Sequence, residues 1–252
     1  MSKIGIVLLA TNAYFVLGVK FIKQFMYHYK GSSDIKFYFF SDRNPSLYLP
    51  DNINVEYIEQ HHDSWLNGTN SKFYNIISLE NTDRDYLIYF DADTSVTKNF
   101  TEDWFIGDTI GLEHFGNNTW MKDVKNYDRN PESKAYIPHD TSLPQIYYHG
   151  CLFGGRKDTI VKVCKILRDN QLEDKKIPYE PVWNDESYIN QYYHYNPPTR
   201  LVPLSEYMFN VSDKSGIGET RNIKLDISNL LVEMMINKDI PYNIVNGEVK
   251  IF

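Results

Sequence analysis

The feature that most constrains this chain is a short apolar run that ends at two aspartates one residue apart. Residues 86–90 combine aromatic and aliphatic side chains, the composition of a buried central strand. Asp91 and Asp93 follow, and on an extended backbone residues two apart point to the same side. The two carboxylates can therefore converge at the carboxyl end of a strand, where open α/β sheets bind ligands. Two hard oxygen ligands suit Mg²⁺ or Mn²⁺, but a short Asp-x-Asp taken alone is more often a solvated turn.

The chain before these aspartates alternates between strand-like and helix-like patterns. Residues 4–9 are apolar without alternation, as in a parallel strand, and apolar residues at 3- and 4-residue spacing predict a helix after them. Strands at 35–40 and 55–58 and a helix at 72–79 complete a β-α-β-β-α-β order. This order predicts an α/β, Rossmann-like fold with a mixed, mostly parallel central sheet. The first loop, residues 10–14, contains no glycine, which argues against an NAD or FAD fingerprint.

The chain after the aspartates is less regular. The pattern predicts strands at 110–113, 147–155 and 199–204, a helix capped by Asp158, and a helix that ends near residue 195. Residues 116–143 form a long polar segment with weak periodicity, and long loops of this kind inside a domain are usually functional.

The second half shows no linker and no internal repeat, and an apolar helical patch lies at 230–236. We therefore expect one domain over residues 1–252, with a nucleotide-binding half at about 1–96, an acceptor and catalytic half at about 97–210, and a tail at 211–252.

Charge and terminal sequence exclude several classes of protein. The net charge is −7 and no block of Lys and Arg occurs, so a nucleic-acid groove is not expected. The apolar start is too short for a signal peptide or a membrane span. Cys151 and Cys164 have neither metal-site spacing nor the density of a disulfide scaffold, which favours a reducing compartment. These observations predict a soluble, cytoplasmic protein.

Three stretches that are distant in sequence are candidates to meet at one sheet edge: Asp91 with Asp93, residues 149–151, and residues 183–186. Each has a structural explanation as well, since acidic residues favour helix starts and a lone histidine is more often a core or surface residue. Three functions fit the aspartates. They are a haloacid-dehalogenase-like phosphatase, a metal-dependent glycosyltransferase with a nucleotide-sugar donor, and a sugar-binding module without catalysis.

Four segments of the second half resemble glycosyltransferase family six in the right order. The string YDRNPESKAYIP starts at Tyr127, YYHGCLFGG at Tyr147, WNDESYINQYY at Trp183 and NPPTRLVPLSEY at Asn196. Each is similar to a segment of that family, and four in order are far more specific than any one of them. The resemblance covers roughly residues 4–210.

The resemblance implies a glycosyltransferase A-type fold and a retaining transfer of galactose or N-acetylgalactosamine. The sugar would pass from a UDP donor to a glycan acceptor hydroxyl and form an α-1,3 bond. Asp91 and Asp93 would hold Mn²⁺ or Mg²⁺, and Glu186 would lie under the anomeric carbon as nucleophile or as a charge stabiliser. Trp183 and His114 would contact the acceptor. The implied donor-binding residues are Ala10, Thr11, Tyr14, Lys72, Asp91, Asp93, His149, Gly150, Cys151 and Asp185.

The chain departs from the family in ways that carry predictions. Bacterial members have Asn-x-Asn and dispense with metal, whereas this chain keeps both aspartates, which predicts metal dependence. Lys72 would take the place of an arginine that lies on the diphosphate side in the family, and Asn184 replaces a histidine beside the catalytic acid. Cys151 is bulkier than the glycine or alanine of the family, which favours UDP-galactose by a small margin. The basic C-terminal tail of the family has no clear counterpart.

Overall fold

A seven-stranded mixed sheet forms the centre of the computed structural model, which describes residues 1–62, 64–96, 98–114, 127–139, 142–202, 209–210, 242–245 and 248–251. Its strands are β1 (Lys3–Leu9), β2 (Asp34–Ser41), β3 (Val55–Glu59), β4 (Tyr86–Asp91), β6 (Ile110–Glu113), β7 (Tyr148–Arg156) and β8 (Arg200–Val202). The order across the sheet is β3-β2-β1-β4-β7-β6-β8. β1, β2, β3 and β4 run parallel, whereas β7 is antiparallel to both β4 and β6.

Smaller strands lie outside this sheet. The short strand β5 (Ser95–Val96) follows the aspartates and pairs with β9 (Phe209–Asn210). A hairpin of β10 (Tyr242–Val245) and β11 (Glu248–Ile251) lies near the C-terminus.

Five α-helices are described, and four of them pack against strands of the central sheet. They are α1 (Tyr14–His28), α2 (Trp65–Asn70), α3 (Lys72–Ser78), α4 (Lys157–Asp174) and α5 (Asp185–Tyr195). The predicted β-α-β-β-α-β order and the mixed, mostly parallel sheet are confirmed. None of the helices within the described residues is long and apolar enough to cross a membrane.

A group of buried aromatic rings supports the strand that carries the first aspartate. Phe90, the residue before Asp91, packs edge-on against Phe25 of α1 and Phe105, with ring centroids 6.2 and 6.0 Å apart. All three rings are fully buried. Burial contributes about 1.5–3 kcal/mol for each such side chain, and edge-to-face pairs add about 0.5–1.5 kcal/mol. The carboxyl end of β4, which carries Asp91, is therefore anchored in a well-packed core.

Some predicted boundaries need correction. α4 begins at Lys157, so Asp158 lies in the first turn and is not the N-cap. The strand predicted at 199–204 is described only at Arg200–Val202. α2 was not predicted, because a six-residue helix is too short to show a helical repeat. The helical patch predicted at 230–236 and much of the loop predicted at 116–143 lie outside the described residues.

Candidate active site

A cavity of about 480 Å³ opens at the carboxyl end of the parallel strands. β1 and β4 are neighbours, and Leu9 pairs with Asp91, so the loops after both strands leave the sheet at one edge. The cavity brings together the two aspartates, part of the 149–151 stretch and all of the 183–186 stretch. The predicted site residues that line it are Thr11, Tyr14, Lys72, Asp91, Asp93, Gly150, Trp183, Asp185 and Glu186.

Asp91 is close enough to Asp93 to influence its ionisation. Burial raises the pKa of Asp93 to about 6, and the neighbouring charge of Asp91 adds to the rise. The Asp91 side chain is 37% exposed, so the pair faces the cavity from the end of β4. A carboxylate pair with an unfavourable mutual charge is the arrangement that a bound divalent cation relieves.

Lys72, at the start of α3, is a buried cation beneath the cavity. Its ammonium donates to the Gly150 carbonyl at 2.7 Å and to Asp185 Oδ2 at 2.5 Å, and lies 3.5 Å from Asp91 Oδ1. Burial alone would lower the pKa of Lys72, but Asp185 and Asp91 raise it well above its usual value. The position predicted to lie beside a diphosphate is thus occupied by an ammonium that already donates two hydrogen bonds and forms an ion pair with Asp91.

Glu186, in the first turn of α5, is held against β7. Its Oε2 accepts a hydrogen bond of 2.7 Å from the Gly150 N–H. Burial raises the pKa of Glu186, while His114, the Gly150 N–H, the Tyr147 hydroxyl and Lys72 oppose the rise. The carboxylate therefore has a low-dielectric site with donors and positive charge directed at its ionised form.

A bulge in β7 lies at this contact. Gly111 of β6 pairs with Phe153, but the next residue, Leu112, pairs with His149, so the pairing skips residues 150–152. A β carbon on Gly150 would lie 3.2 Å from both Cβ and Oε2 of Glu186. Glycine therefore relieves a tight contact where the helix approaches the strand closely.

Two turns that line the cavity contain the non-glycine residues with positive φ in the described part of the chain. Asn12 has φ 55° and Asn184 has φ 47°. Asn12 connects three loops: its N–H donates to Asp42 Oδ1 at 2.7 Å, its Nδ2 to the His62 carbonyl at 3.2 Å, and its carbonyl accepts from Arg43 at 2.9 Å. Strained backbone of this kind clusters at functional sites.

Four of the predicted site residues do not line the cavity. Ala10 and Cys151 are buried in the main hydrophobic core, with 0% and 1% exposure. The rings of His149 and His114 stack on each other, with centroids 4.5 Å apart and planes 11° apart. His149 lies 3.7 Å from Glu186 Oε2, so this histidine pair stands beside the catalytic candidate rather than in the cavity wall.

Other cavity residues were missed from the sequence. The polar ones among them come mainly from turns and from α2, and only the turn-forming character of asparagine gave any signal for them. These polar residues are Asn12, Ser64, Thr69 and Tyr89.

The sheet order, with an Asp-x-Asp at the end of the strand beside β1, defines an α/β protein of the glycosyltransferase A type. The chain belongs to glycosyltransferase family 6, whose model matches residues 2–229.

The chain is also similar to individual proteins of known name. The chain is 26% identical over 216 residues to histo-blood group ABO system transferase 2 of Rattus norvegicus, covering 82% of this chain and 64% of the relative. It is 28% identical over 173 residues to the O-antigen biosynthesis glycosyltransferase WbnI of Escherichia coli, covering 67% and 72%. It is 27% identical over 217 residues to globoside alpha-1,3-N-acetylgalactosaminyltransferase 1 of Gallus gallus, covering 82% and 61%. The chain thus spans less than two thirds of the length of these two animal relatives.

Proposed function

We propose that the chain is a metal-dependent, retaining hexosyltransferase. It would move galactose or N-acetylgalactosamine from a UDP donor to a sugar hydroxyl and form an α-1,3 bond. The observation that carries the proposal is the convergence of Asp91, Asp93, Asp185 and Glu186 in one cavity of a family 6 chain. The names of the rat and chicken relatives, an ABO system transferase and an alpha-1,3-N-acetylgalactosaminyltransferase, support the reaction class.

Asp91 and Asp93 would hold the cation. Their oxygens are hard ligands, and a cation would offset the repulsion that contributes to the raised pKa of Asp93. Among the described residues no third His, Cys, Asp or Glu joins them. Two carboxylates leave most of the octahedral positions to water and donor phosphate oxygens, as is usual for Mg²⁺ and Mn²⁺ sites with phosphate substrates. A bound cation would neutralise charge on the departing UDP.

The remaining side chains would act as follows. Asp185, held by Lys72, would accept a hydrogen bond from a donor-sugar hydroxyl. Glu186 would place its negative charge beside the anomeric carbon, as nucleophile or as stabiliser of an oxocarbenium-like ion. Trp183, which is 47% exposed at the cavity rim, offers an aromatic face to an acceptor sugar. Tyr14, which also lines the cavity, would offer its ring to the uracil.

Two alternative functions differ from this proposal in what they require. A phosphatase of the haloacid-dehalogenase type needs its aspartates after the first strand of its domain, whereas Asp91 ends the fourth strand here. A sugar-binding module would bind glycan without consuming a UDP-sugar.

Thermal unfolding with UDP, MnCl₂ or both tests donor and cation binding. Ligand at a hundred times its Kd stabilises by about 2.7 kcal/mol, so we expect Tm to rise by roughly 5–10 °C for a chain of this size. Asp93→Asn should lose the Mn²⁺-dependent part of this shift. Asp108→Asn, which alters an exposed carboxylate outside the cavity, should keep it.

Turnover tests the chemistry. Glu186→Gln should cut UDP release from UDP-galactose and UDP-N-acetylgalactosamine by at least about 100-fold and leave the UDP-dependent Tm shift intact. Turnover equal to that of the wild type would refute the role of Glu186. Stabilisation by glycans alone, with no UDP-sugar consumed, would favour the binding module.

A further inference from the structure

Two backbone N–H groups of β7 donate to side chains of α5. The Gly150 N–H donates to Glu186 Oε2 at 2.7 Å, and the Tyr148 N–H donates to Asn190 Oδ1 at 2.8 Å. The first of these donors lies in the bulge that the pairing with β6 skips. Side chains of a helix thus bind two backbone N–H groups of the strand.

The spacing of the two contacts matches the geometry of helix and strand. Residues two apart on an extended chain are separated by about 6.6 Å, and residues four apart on a helix rise about 6 Å. Glu186 and Asn190 are four apart, so they lie on one face of α5. Side chains four residues apart on the helix can therefore bind N–H groups two residues apart on the strand.

The Asn190 amide is fully used in this contact. Its Oδ1 accepts from the Tyr148 N–H, and its Nδ2 donates to the Tyr148 carbonyl at 2.8 Å and to the Glu186 carbonyl at 2.9 Å. The side chain is 1% exposed. A primary amide presents an acceptor and a donor side by side, so it can bind both backbone groups of one residue. Asn190 thereby connects Tyr148, two residues before Gly150, to the backbone of Glu186.

We propose that Asn190 is a positioning residue that sets the distance between Glu186 and the Gly150 N–H. The inference rests on the proposed function, because it assigns Asn190 an effect only through the Glu186 carboxylate. Asn190 does not line the cavity, so it has no direct contact with a ligand bound there.

The distance between the Glu186 carboxylate and the Gly150 N–H matters because the two elements are closely packed here. A β carbon on Gly150 would lie 3.2 Å from the Glu186 side chain, so the helix packs closely on the strand at this glycine. If α5 moves away, the carboxylate loses its 2.7 Å donor and its place beneath the anomeric carbon. A misplacement of about 1 Å can cost roughly 100-fold in rate, since reacting atoms must approach to about 3–3.5 Å.

The experiment compares Asn190→Ala and Asn190→Ser with Tyr193→Phe. Tyr193 lies on the same helix and donates a buried hydrogen bond of 2.9 Å to the Ile110 carbonyl, a group that does not line the cavity. Measurements are Tm, kcat and KM for UDP-sugar turnover, and the Tm shift given by UDP with Mn²⁺. We expect kcat to fall about 10- to 100-fold in Asn190→Ala, with the UDP-dependent shift retained. Tyr193→Phe should lower Tm and keep kcat within about twofold of the wild type. Asn190→Ser, which keeps one polar group, covers the case in which the alanine variant does not fold.

Combination with Glu186→Gln shows whether Asn190 acts through Glu186. The residual turnover of Glu186→Gln should fall by less than about twofold when Asn190→Ala is added, because the two residues form one unit. An equal fold-loss in both backgrounds would overturn the inference. Wild-type kcat in both Asn190 variants, together with an impaired Glu186→Gln, would overturn the inference about Asn190 and leave the proposed function in place. Wild-type turnover in Glu186→Gln would overturn the proposed function and this inference with it.

Discussion

Removal of the Tyr147 hydroxyl should shift the pH dependence of the reaction. Tyr147 is fully buried, and burial raises its own pKa, so its hydroxyl stays protonated and can donate to Glu186. This hydroxyl opposes the rise in the pKa of Glu186 that burial causes. In Tyr147→Phe the carboxylate loses a donor to its ionised form, and its pKa therefore rises further.

The magnitude follows from the type of hydrogen bond. A bond to a charged group contributes about 1.5–3 kcal/mol, and about 1.4 kcal/mol changes an equilibrium constant tenfold. The ionisation constant of Glu186 should thus fall in Tyr147→Phe, because the ionised form loses part of its stabilisation. Because the proposed reaction needs the ionised form, activity is lost as pH falls through this pKa, and the acid limb should move to higher pH.

The assay is a pH profile of kcat/KM for UDP-sugar hydrolysis in the wild type and the variant. Tyr127→Phe is the matched control, since its buried hydroxyl donates to the Ile146 carbonyl at 3.0 Å and not to Glu186. An acid limb that stays in place in Tyr147→Phe, or moves to lower pH, would refute the reasoning. An equal movement in the control would assign the effect to general loosening of the core.

Three further predictions concern packing and buried polar contacts. Gly154→Ala should destabilise the fold by about 1–3 kcal/mol, because its β carbon would lie 2.6 and 2.8 Å from backbone atoms of β4, and a Tm unchanged within error would contradict this. Asp174→Ala should cost about 2–4 kcal/mol in urea unfolding, because its carboxylate accepts from two hydroxyls and a backbone N–H, whereas the exposed Asp169→Ala should cost little. Gly150→Ala should lower kcat for UDP-sugar turnover more than it changes KM, since the new methyl group pushes against Glu186, and a change confined to KM would count against that contact.

The first half of the fold could be predicted from sequence because its signals are local. Uninterrupted apolar runs identified β1 and β4, and a helical repeat identified α1. The antiparallel direction of β7 could not be predicted, because it depends on the strands that β7 pairs with and not on its own residues. The bulge at Gly150 is equally invisible in sequence, because the skipped pairing is defined by β6.

The candidate site shows the same division. Asp91 and Asp93 stood out because they end a strand, and Glu186 because it belongs to a segment that resembles a family. The resemblance placed Lys72 beside the diphosphate, but its buried contacts with Asp185 and the Gly150 carbonyl required coordinates. The placement of Cys151 in the core also follows from packing across the sheet. Its expected influence on donor choice stays a prediction.

The contact between α5 and β7 also makes Gly150 a reporter of local opening. Its amide hydrogen is bound by the Glu186 side chain and not by the neighbouring strand β6, so exchange with deuterium requires that this one contact open. Amides inside the β1–β4 ladder exchange only when the sheet itself opens. The exchange rate at Gly150, compared with that of β1, would therefore measure how often the helix that carries Glu186 separates from the sheet while the rest of the protein stays folded.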